Sequence, residues 1–177
     1  KGKELAEIGE MYEAGIVAIS DDGKSIRNSE TLRKALEYAK LFNIPAISHC
    51  EDEDLSKGFV HEGGASVISG IEPIPAIAEE IIVKRDMTIA KYVKTPIHLT
   101  HISTKGSVES IGEMKKKYDL ITCDTCPHYF TLTDRATLSF DTNTKVNPPL
   151  RSKEDVKAIK EGLREEIIDI IATDHAP

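Results

Sequence analysis

Four side chains that can bind a metal stand at the ends of apolar runs spread along the sequence. His49 and His101 each end such a run, while Asp22 and Asp174 each follow one. Imidazole nitrogen and carboxylate oxygen are ligands that a borderline cation such as zinc prefers. A carboxylate can also bridge two ions, which lower the pKa of water and polarise a carbonyl group. The sequence therefore predicts a site for one or two zinc ions, held by these four residues.

The remaining histidines support weaker predictions. His175 either supports a metal ligand from behind or simply fills space, and His128 either lines the pocket or stays outside it. His61 and His98 are expected to be structural or to face solvent. Because His98 lies three residues before His101 on a strand, the two side chains should point to opposite faces of the sheet.

Strands are predicted to alternate with helices along the chain. The apolar strand segments are 16–20, 44–50, 97–103, 120–126 and 167–173. Strict alternation with nearly continuous apolar strands is typical of a parallel sheet covered by helices, so the predicted fold class is α/β. Five strands fit either an open doubly wound sheet or part of a TIM (β/α)8 barrel. Metal-capable residues at the ends of four different strands favour the partial barrel, with about five parallel β-α units of a metal-dependent hydrolase.

Capping residues and prolines predict where the helices begin. Asn28 or Ser29 is expected to cap one helix, and Ser152 is expected to cap the last. Pro73 is expected in the first turn of a helix that runs to about residue 93, because proline needs no N–H partner there. Residues 51–70 are expected to form a long loop with some helix, and residues 127–149 a long and mostly irregular stretch.

Composition limits the classes of protein that the sequence can represent. The 177 residues carry a formal net charge of −7, and 40% of them are hydrophobic. The acidic balance, with no basic stripe, argues against a nucleic-acid partner. No apolar stretch reaches the roughly 20 residues that cross a bilayer, so no membrane partner is expected. Without a signal-peptide pattern, the expected location is cytoplasmic.

The three cysteines are expected to be reduced, in keeping with that location. Cys123 and Cys126 form a C-x-x-C pair, which could be half of a zinc site or a redox pair. The pair lies in an alternating, strand-like segment with no second ligand pair. The sequence therefore favours small buried apolar residues over either kind of site.

Six motifs, in this order along the chain, resemble bacterial-type (class I) dihydroorotase of the amidohydrolase superfamily. They are Ser20-Asp-Asp-Gly23, Ser48-His-Cys-Glu-Asp52, His98-Leu-Thr-His-Ile-Ser-Thr104, Thr125-Cys-Pro-His128, Asn147-Pro-Pro-Leu-Arg151 and Ala172-Thr-Asp-His-Ala-Pro177. The resemblance spans the whole chain and implies a metal-dependent barrel that hydrolyses a cyclic amide.

The resemblance also implies roles for single residues. His49 and His101 match metal-binding histidines of the fifth and sixth barrel strands. Asp174 matches the eighth-strand aspartate, which binds metal and moves the catalytic proton. Asp22 falls where many relatives have a carboxylated lysine and some class I dihydroorotases have a bridging aspartate. Asn147 matches a residue that hydrogen-bonds the pyrimidine ring of the substrate.

The sequence also departs from the family's pattern. It contains no His-x-His pair of the first strand and lacks the arginine that accompanies that pair. We therefore expect residues 1–177 to be a single segment, strands four to eight of a parent barrel without its N-terminal strands. Incomplete metal coordination and little or no activity follow for such a segment. Its two exposed sheet edges predict self-association.

The expected activity of the parent enzyme is the reversible hydrolysis of dihydroorotate to N-carbamoyl-aspartate, in pyrimidine biosynthesis. An allantoinase or a hydantoinase is the enzymatic alternative, although those usually keep a lysine at the position of Asp22. A different class of alternative is an inactive fragment or a non-catalytic partner of aspartate transcarbamoylase.

Overall fold

The computed structural model describes residues 4–175, with seven strands and seven α-helices in that range. The strands are β1 (Ile19–Ser20), β2 (Ala46–His49), β3 (Val60–His61), β4 (Pro73–Ile74), β5 (Ile97–Thr100), β6 (Ile121–Thr125) and β7 (Ile170–Ile171). The helices are α1 (Ile8–Glu13), α2 (Ser29–Leu41), α3 (Gly64–Ser69), α4 (Ile77–Val93), α5 (Lys105–Lys115), α6 (Pro127–Thr131) and α7 (Lys153–Arg164).

Five of the strands form one parallel sheet, in the order β1-β2-β5-β6-β7. Ile19 is paired with Ala46, Ala46 with Ile97, and Ile97 with Ile121, so the strands are in close register. Helices connect consecutive strands of this sheet, as parallel connections require. The predicted α/β class and its five parallel strands are therefore confirmed.

The two faces of the sheet have different environments. Ala46, Leu99 and Cys123 face the helices and belong to one buried core cluster. The alternate residues point to the opposite face, where His98 is partly exposed and Thr122 is exposed. The carboxyl ends of all five strands lie at the same edge of the sheet, because the strands are parallel. Side chains that follow those strands are brought together at this edge.

The predicted helix caps are confirmed. The side chain of Asn28 accepts hydrogen bonds from the first turn of α2. Ser152 and Asp155 form a reciprocal capping box at the start of α7. Thr104 caps α5, which begins at Lys105.

The proline-rich segment was predicted wrongly. Pro73 does not begin a helix: it lies in β4, which pairs with β3 in a separate two-stranded parallel sheet. The helix α4 begins only at Ile77. The helix α3 lies in 51–70, where some helix was expected, whereas α6 lies in the stretch expected to be mostly irregular and is too short to show a helical period in the sequence.

The last strand is much shorter than predicted. The backbone N–H groups of Ile167 and Ile168 both donate to the carbonyl of Gly162, at the end of α7. Ile168 is buried in the core at that point, and only Ile170 and Ile171 pair with β6. The apolar residues at the start of the predicted strand therefore belong to the turn that follows the helix.

All three cysteines are buried and unpaired, which confirms the prediction of small buried residues. Burial raises the pKa of both Cys123 and Cys126 to about 12, so neither thiol is ionised near neutral pH. Within residues 4–175, no helix combines the length and the apolar character that a membrane crossing needs.

Candidate metal centre

Three of the four predicted metal ligands lie together at the carboxyl edge of the sheet. Asp22 follows β1, His49 ends β2, and His101 follows β5, and these three strands are neighbours. One ligand atom from each lies within 4.8 Å of the other two. Both histidines are almost fully buried, whereas the aspartate is exposed. The group therefore consists of two imidazoles fixed by burial and one carboxylate that faces solvent.

The distances in this group suit one small cation. Nδ1 of His49 lies 3.2 Å from Oδ1 of Asp22, and Nε2 of His101 lies 3.5 Å from the same oxygen. Ligands of a tetrahedral zinc ion, each about 2.0–2.2 Å from the metal, lie roughly 3.3 Å from one another. The two imidazole nitrogens are closer, at 2.7 Å, which is hydrogen-bond distance. A small opening between the rings therefore suffices for an ion, and the residue types fit zinc.

Glu51 orients the imidazole of His49, a role that was not predicted from the sequence. Nε2 of His49 lies 3.0 Å from Oε2 of Glu51, on the opposite side of the ring from Asp22. A carboxylate in this position favours the tautomer with the proton on Nε2 and leaves the lone pair of Nδ1 for a metal. The same carboxylate oxygen accepts a hydrogen bond from Nδ2 of Asn147, at 3.2 Å. The predicted substrate-binding residue is thus connected to a metal-binding histidine through one side chain.

The charges in this cluster support one another. The hydrogen bond to His101 holds the pKa of Asp22 below its usual value. Burial opposes the charge on His49, but Glu51 and the aspartates outweigh it and raise the pKa of that imidazole. Glu51 is also desolvated, yet its bonds to His49 and Asn147 lower its pKa. The acids at this edge are therefore ionised at neutral pH and favour a cation.

Within residues 4–175, the group of possible metal ligands contains only Asp22, His49 and His101, so Asp174 is not part of it. It is exposed and has a left-handed backbone conformation, with φ of 50°. Burial lowers the pKa of His128, while the carboxylate of Asp174 opposes this shift and the nearby His101 adds to it. His101, His128 and Asp174 come after β5, β6 and β7, and the carboxyl ends of these parallel strands lie at the same edge of the sheet.

The other predicted residues differ in their surroundings. Nε2 of His128 is buried without a hydrogen-bond partner in the described part of the chain, although its ring is partly accessible. His175 is exposed. Ala176 and Pro177, which end the last family motif, lie outside the described residues. His98 is bonded to Asp124, as is the backbone of His101, so these two histidines share a partner that was not predicted.

A buried ion pair connects the motifs on either side of the site. The guanidinium of Arg151 lies 3.5 Å from Oε2 of Glu79, and both residues are 2% exposed. Glu79 also accepts hydrogen bonds from the backbone N–H groups of Ser103 and Thr104, which directly follow the His101 segment. The hydroxyl groups of Ser103 and Thr104 donate to the same carboxylate. The loop that contains Arg151, just before α7, and the segment that follows β5 are thus both anchored to the carboxylate of Glu79 on α4.

The family model described as dihydro-orotase-like matches residues 1–107. This is more than half of the sequence, and the chain belongs to that family. It is 56% identical over its whole length to the dihydroorotase of Acetivibrio thermocellus and 54% identical, over 99% of its length, to that of Endomicrobium trichonymphae. The chain spans about 42% of the length of each of these curated relatives.

Solved structures of related folds support the barrel prediction. The dihydropyrimidinase of Brevibacillus agri NCHU1002 superposes on 98% of the chain with a TM-score of 0.81 and 20% identity, over 41% of its own length. The D-hydantoinase of a Thermus species gives a TM-score of 0.80 over 98% of the chain and 42% of its own, also at 20% identity. The fold is therefore the one that these enzymes share, over part of their length.

Proposed function

We propose that the protein is a metal-dependent cyclic amidohydrolase that catalyses the reversible hydrolysis of dihydroorotate to N-carbamoyl-aspartate. The observation that carries the proposal is the group of Asp22, His49 and His101 at the carboxyl edge of the sheet, in a chain of the dihydro-orotase-like family. Two imidazoles and a carboxylate that converge on one position are ligand types that zinc prefers.

Zinc is the ion that we propose for this centre, in one or two copies, with Asp22, His49, His101 and Asp174 as its ligands. When bound, the ion lowers the pKa of water and polarises the carbonyl group of the substrate. Asp174, which matches the eighth-strand aspartate of the family, would take the proton of the attacking water and return it to the leaving nitrogen. Asn147, held by Glu51, binds the pyrimidine ring.

The enzymatic alternative is another cyclic amidase. The solved structures that resemble this chain are a dihydropyrimidinase and hydantoinases, but at about 20% identity they bear on the fold alone. The two relatives named above, both more than 50% identical, are dihydroorotases. The family resemblance also places Asp22 where hydantoinases and allantoinases usually have lysine. Both observations favour dihydroorotate as the substrate.

The proposal is tested with protein of native length, loaded with zinc, on dihydroorotate, allantoin and hydantoin. Turnover of dihydroorotate at least tenfold faster than that of the other two supports it, and a preference for hydantoin or allantoin contradicts it. Asp174→Asn should abolish turnover and leave much of the zinc bound. Unaltered activity of this variant would refute the role of Asp174.

The further proposals concern partners and location. We propose self-association and a complex with aspartate transcarbamoylase, with a cytoplasmic location. Support for self-association comes from the open edges of the sheet, where Ile170 and Ile171 of β7 are about half exposed. Sedimentation of the protein alone and with aspartate transcarbamoylase tests both associations.

A further inference from the structure

The group of Asp22, His49 and His101 is called the metal group below. The backbone of each of its histidines is hydrogen-bonded to an aspartate that lies in, or directly follows, the neighbouring strand. Oδ1 of Asp124 accepts a hydrogen bond of 2.7 Å from the backbone N–H of His101. Oδ1 of Asp21 accepts one of 2.8 Å from the backbone N–H of His49. Asp124 lies in β6, beside β5, and Asp21 directly follows β1, beside β2. The two histidines thus have the same kind of support from two different strands.

Asp124 binds the end of β5 at several points. Its Oδ2 atom accepts hydrogen bonds from Nε2 of His98 and from the hydroxyl of Thr100, both at 2.8 Å. Its main-chain carbonyl accepts from the N–H of Ile102 at 2.9 Å. Asp124 is only 4% exposed, so water does not compete for these bonds. Residues before, at and after His101 are therefore all fixed to one aspartate.

His101 needs this support because its backbone has an unfavourable conformation. Its φ is 45°, in the left-handed region, which costs a residue other than glycine on the order of 1 kcal/mol or more. The left-handed turn ends β5 and sets the direction of the Cα–Cβ bond, and therefore where the imidazole lies. The bonds from Asp124 to the N–H groups of His101 and Ile102 hold this turn on both sides.

The same arrangement occurs once more, away from the metal group. Oδ2 of Asp169 accepts a hydrogen bond of 2.8 Å from the N–H of Cys123, and the N–H of Asp169 donates to the carbonyl of Cys123. Cys123 is a buried core residue of β6 and not part of the group of three. Asp169 is therefore a matched control, because its replacement removes the same kind of side-chain bond to a backbone N–H without acting on a metal-binding histidine.

We propose that Asp124 and Asp21 are positioning residues of the metal centre, which set the backbone of His101 and His49 so that the two imidazoles converge on one ion. This inference rests on the proposed metal-dependent function, and it adds two residues that do not themselves bind the metal. Their removal should weaken metal binding even where both histidines are intact.

The experiment measures zinc affinity by chelator competition, and the absorption spectrum of bound Co²⁺, for the wild-type protein of native length and for four variants of it. These are Asp124→Ala, Asp124→Asn, Asp21→Ala and Asp169→Ala. We expect Asp124→Ala and Asp21→Ala to weaken zinc binding about 10–100-fold, the range for loss of a group that orients a metal ligand. Asp124→Asn retains one acceptor oxygen and should weaken it less. Asp169→Ala should lower stability yet change zinc affinity less than about threefold, with an unchanged Co²⁺ spectrum.

The outcomes separate this inference from the proposed function. Equal zinc affinity in Asp124→Ala and Asp169→Ala overturns the positioning role while the metal-dependent function stands. Wild-type protein of native length that binds no zinc and no Co²⁺ overturns both. If Asp124→Ala does not fold, as judged by circular dichroism, Asp124→Asn decides: wild-type affinity and spectrum in that variant overturn the role of the charged carboxylate.

Discussion

Nδ1 of His49 lies 2.7 Å from Nε2 of His101, although 52 residues separate the two histidines in the sequence. The strands β2 and β5 are neighbours, and His49 is in register with Thr100. The two rings therefore meet edge to face, with an interplanar angle of 75°. Two imidazole nitrogens at this distance either share one proton or direct their lone pairs at a cation, and the nearby carboxylates stabilise the positive charge in both cases.

Replacement of either histidine should therefore remove zinc binding. We expect His101→Ala to weaken zinc affinity by more than the roughly 100-fold that loss of a supporting group causes at most, because a direct ligand is lost. His61→Ala is the control, since His61 is also buried but contacts Arg151 instead of the metal group. Isothermal titration with zinc measures both. Equal affinities for the two variants would contradict the assignment of His101.

The ion pair of Glu79 and Arg151 makes a prediction about stability. Removal of one partner from a buried pair leaves the other charge without compensation, which costs about 3–5 kcal/mol. We expect Arg151→Met to lower the free energy of unfolding by about that amount in urea denaturation. Arg27→Met is the matched control, because Arg27 pairs with Asp54 on the surface, where such pairs contribute about 0–1 kcal/mol. Similar losses of unfolding free energy in the two variants would show that the buried pair contributes no more to stability than the surface pair.

Asp86 makes the stability of the protein depend on pH. Burial raises its pKa to about 6, although Arg85 and Ser48 both donate hydrogen bonds to its carboxylate. The folded protein therefore binds more protons than the unfolded chain between the ordinary pKa of 3.8 and about 6. The contribution of this group to stability is fully present below the lower value and is lost as the pH rises through the upper one.

The variant Asp86→Asn isolates this effect. Between pH 4 and pH 7, the free energy of unfolding of the wild type should fall, relative to that of the variant, by on the order of 2–3 kcal/mol. Urea denaturation at each pH measures the difference. Asp54→Asn, which removes an exposed carboxylate, controls for the change in net charge. A constant difference between wild type and Asp86→Asn across this range would contradict the raised pKa.

The sequence was sufficient to predict the parallel strands and three residues of the metal group. Apolar runs mark buried strands, and the carboxyl ends of parallel strands meet at one edge, so Asp22, His49 and His101 could be placed together without coordinates. The helix caps were predictable for a similar reason, since Asn28 and Ser152 act on backbone groups only a few residues away.

Contacts that depend on tertiary packing were not predictable in this way. Glu51 turns back onto His49, and Asp124 reaches across to β5, yet neither has a spacing that distinguishes it from other acids. Glu79 and Arg151 are far apart in sequence and are brought together only by the tertiary fold. The pairing of β3 with β4 involves two residues from each strand, too few to show a period. The role of Asp174 stays a prediction.

The close approach of Gly58 to β4 gives a last prediction. A Cβ atom at Gly58 would overlap the backbone carbonyl oxygens of Glu72 and Pro73, which cannot move aside as a flexible side chain could. The N–H of Phe59 donates to that same Glu72 carbonyl, so the segment must lie this close. Gly58→Ala should therefore lower the free energy of unfolding by about 1–3 kcal/mol, as overpacking does. The variant should also disturb the loop that contains Arg151, because the guanidinium of Arg151 donates to the carbonyl of Ile74 in β4.

Gly64→Ala is the matched control, since a Cβ there meets no atom within 4 Å. Urea denaturation of the two variants tests the prediction. Equal free energies of unfolding would show that the Gly58 segment can move away from β4 without lowering the stability of the fold.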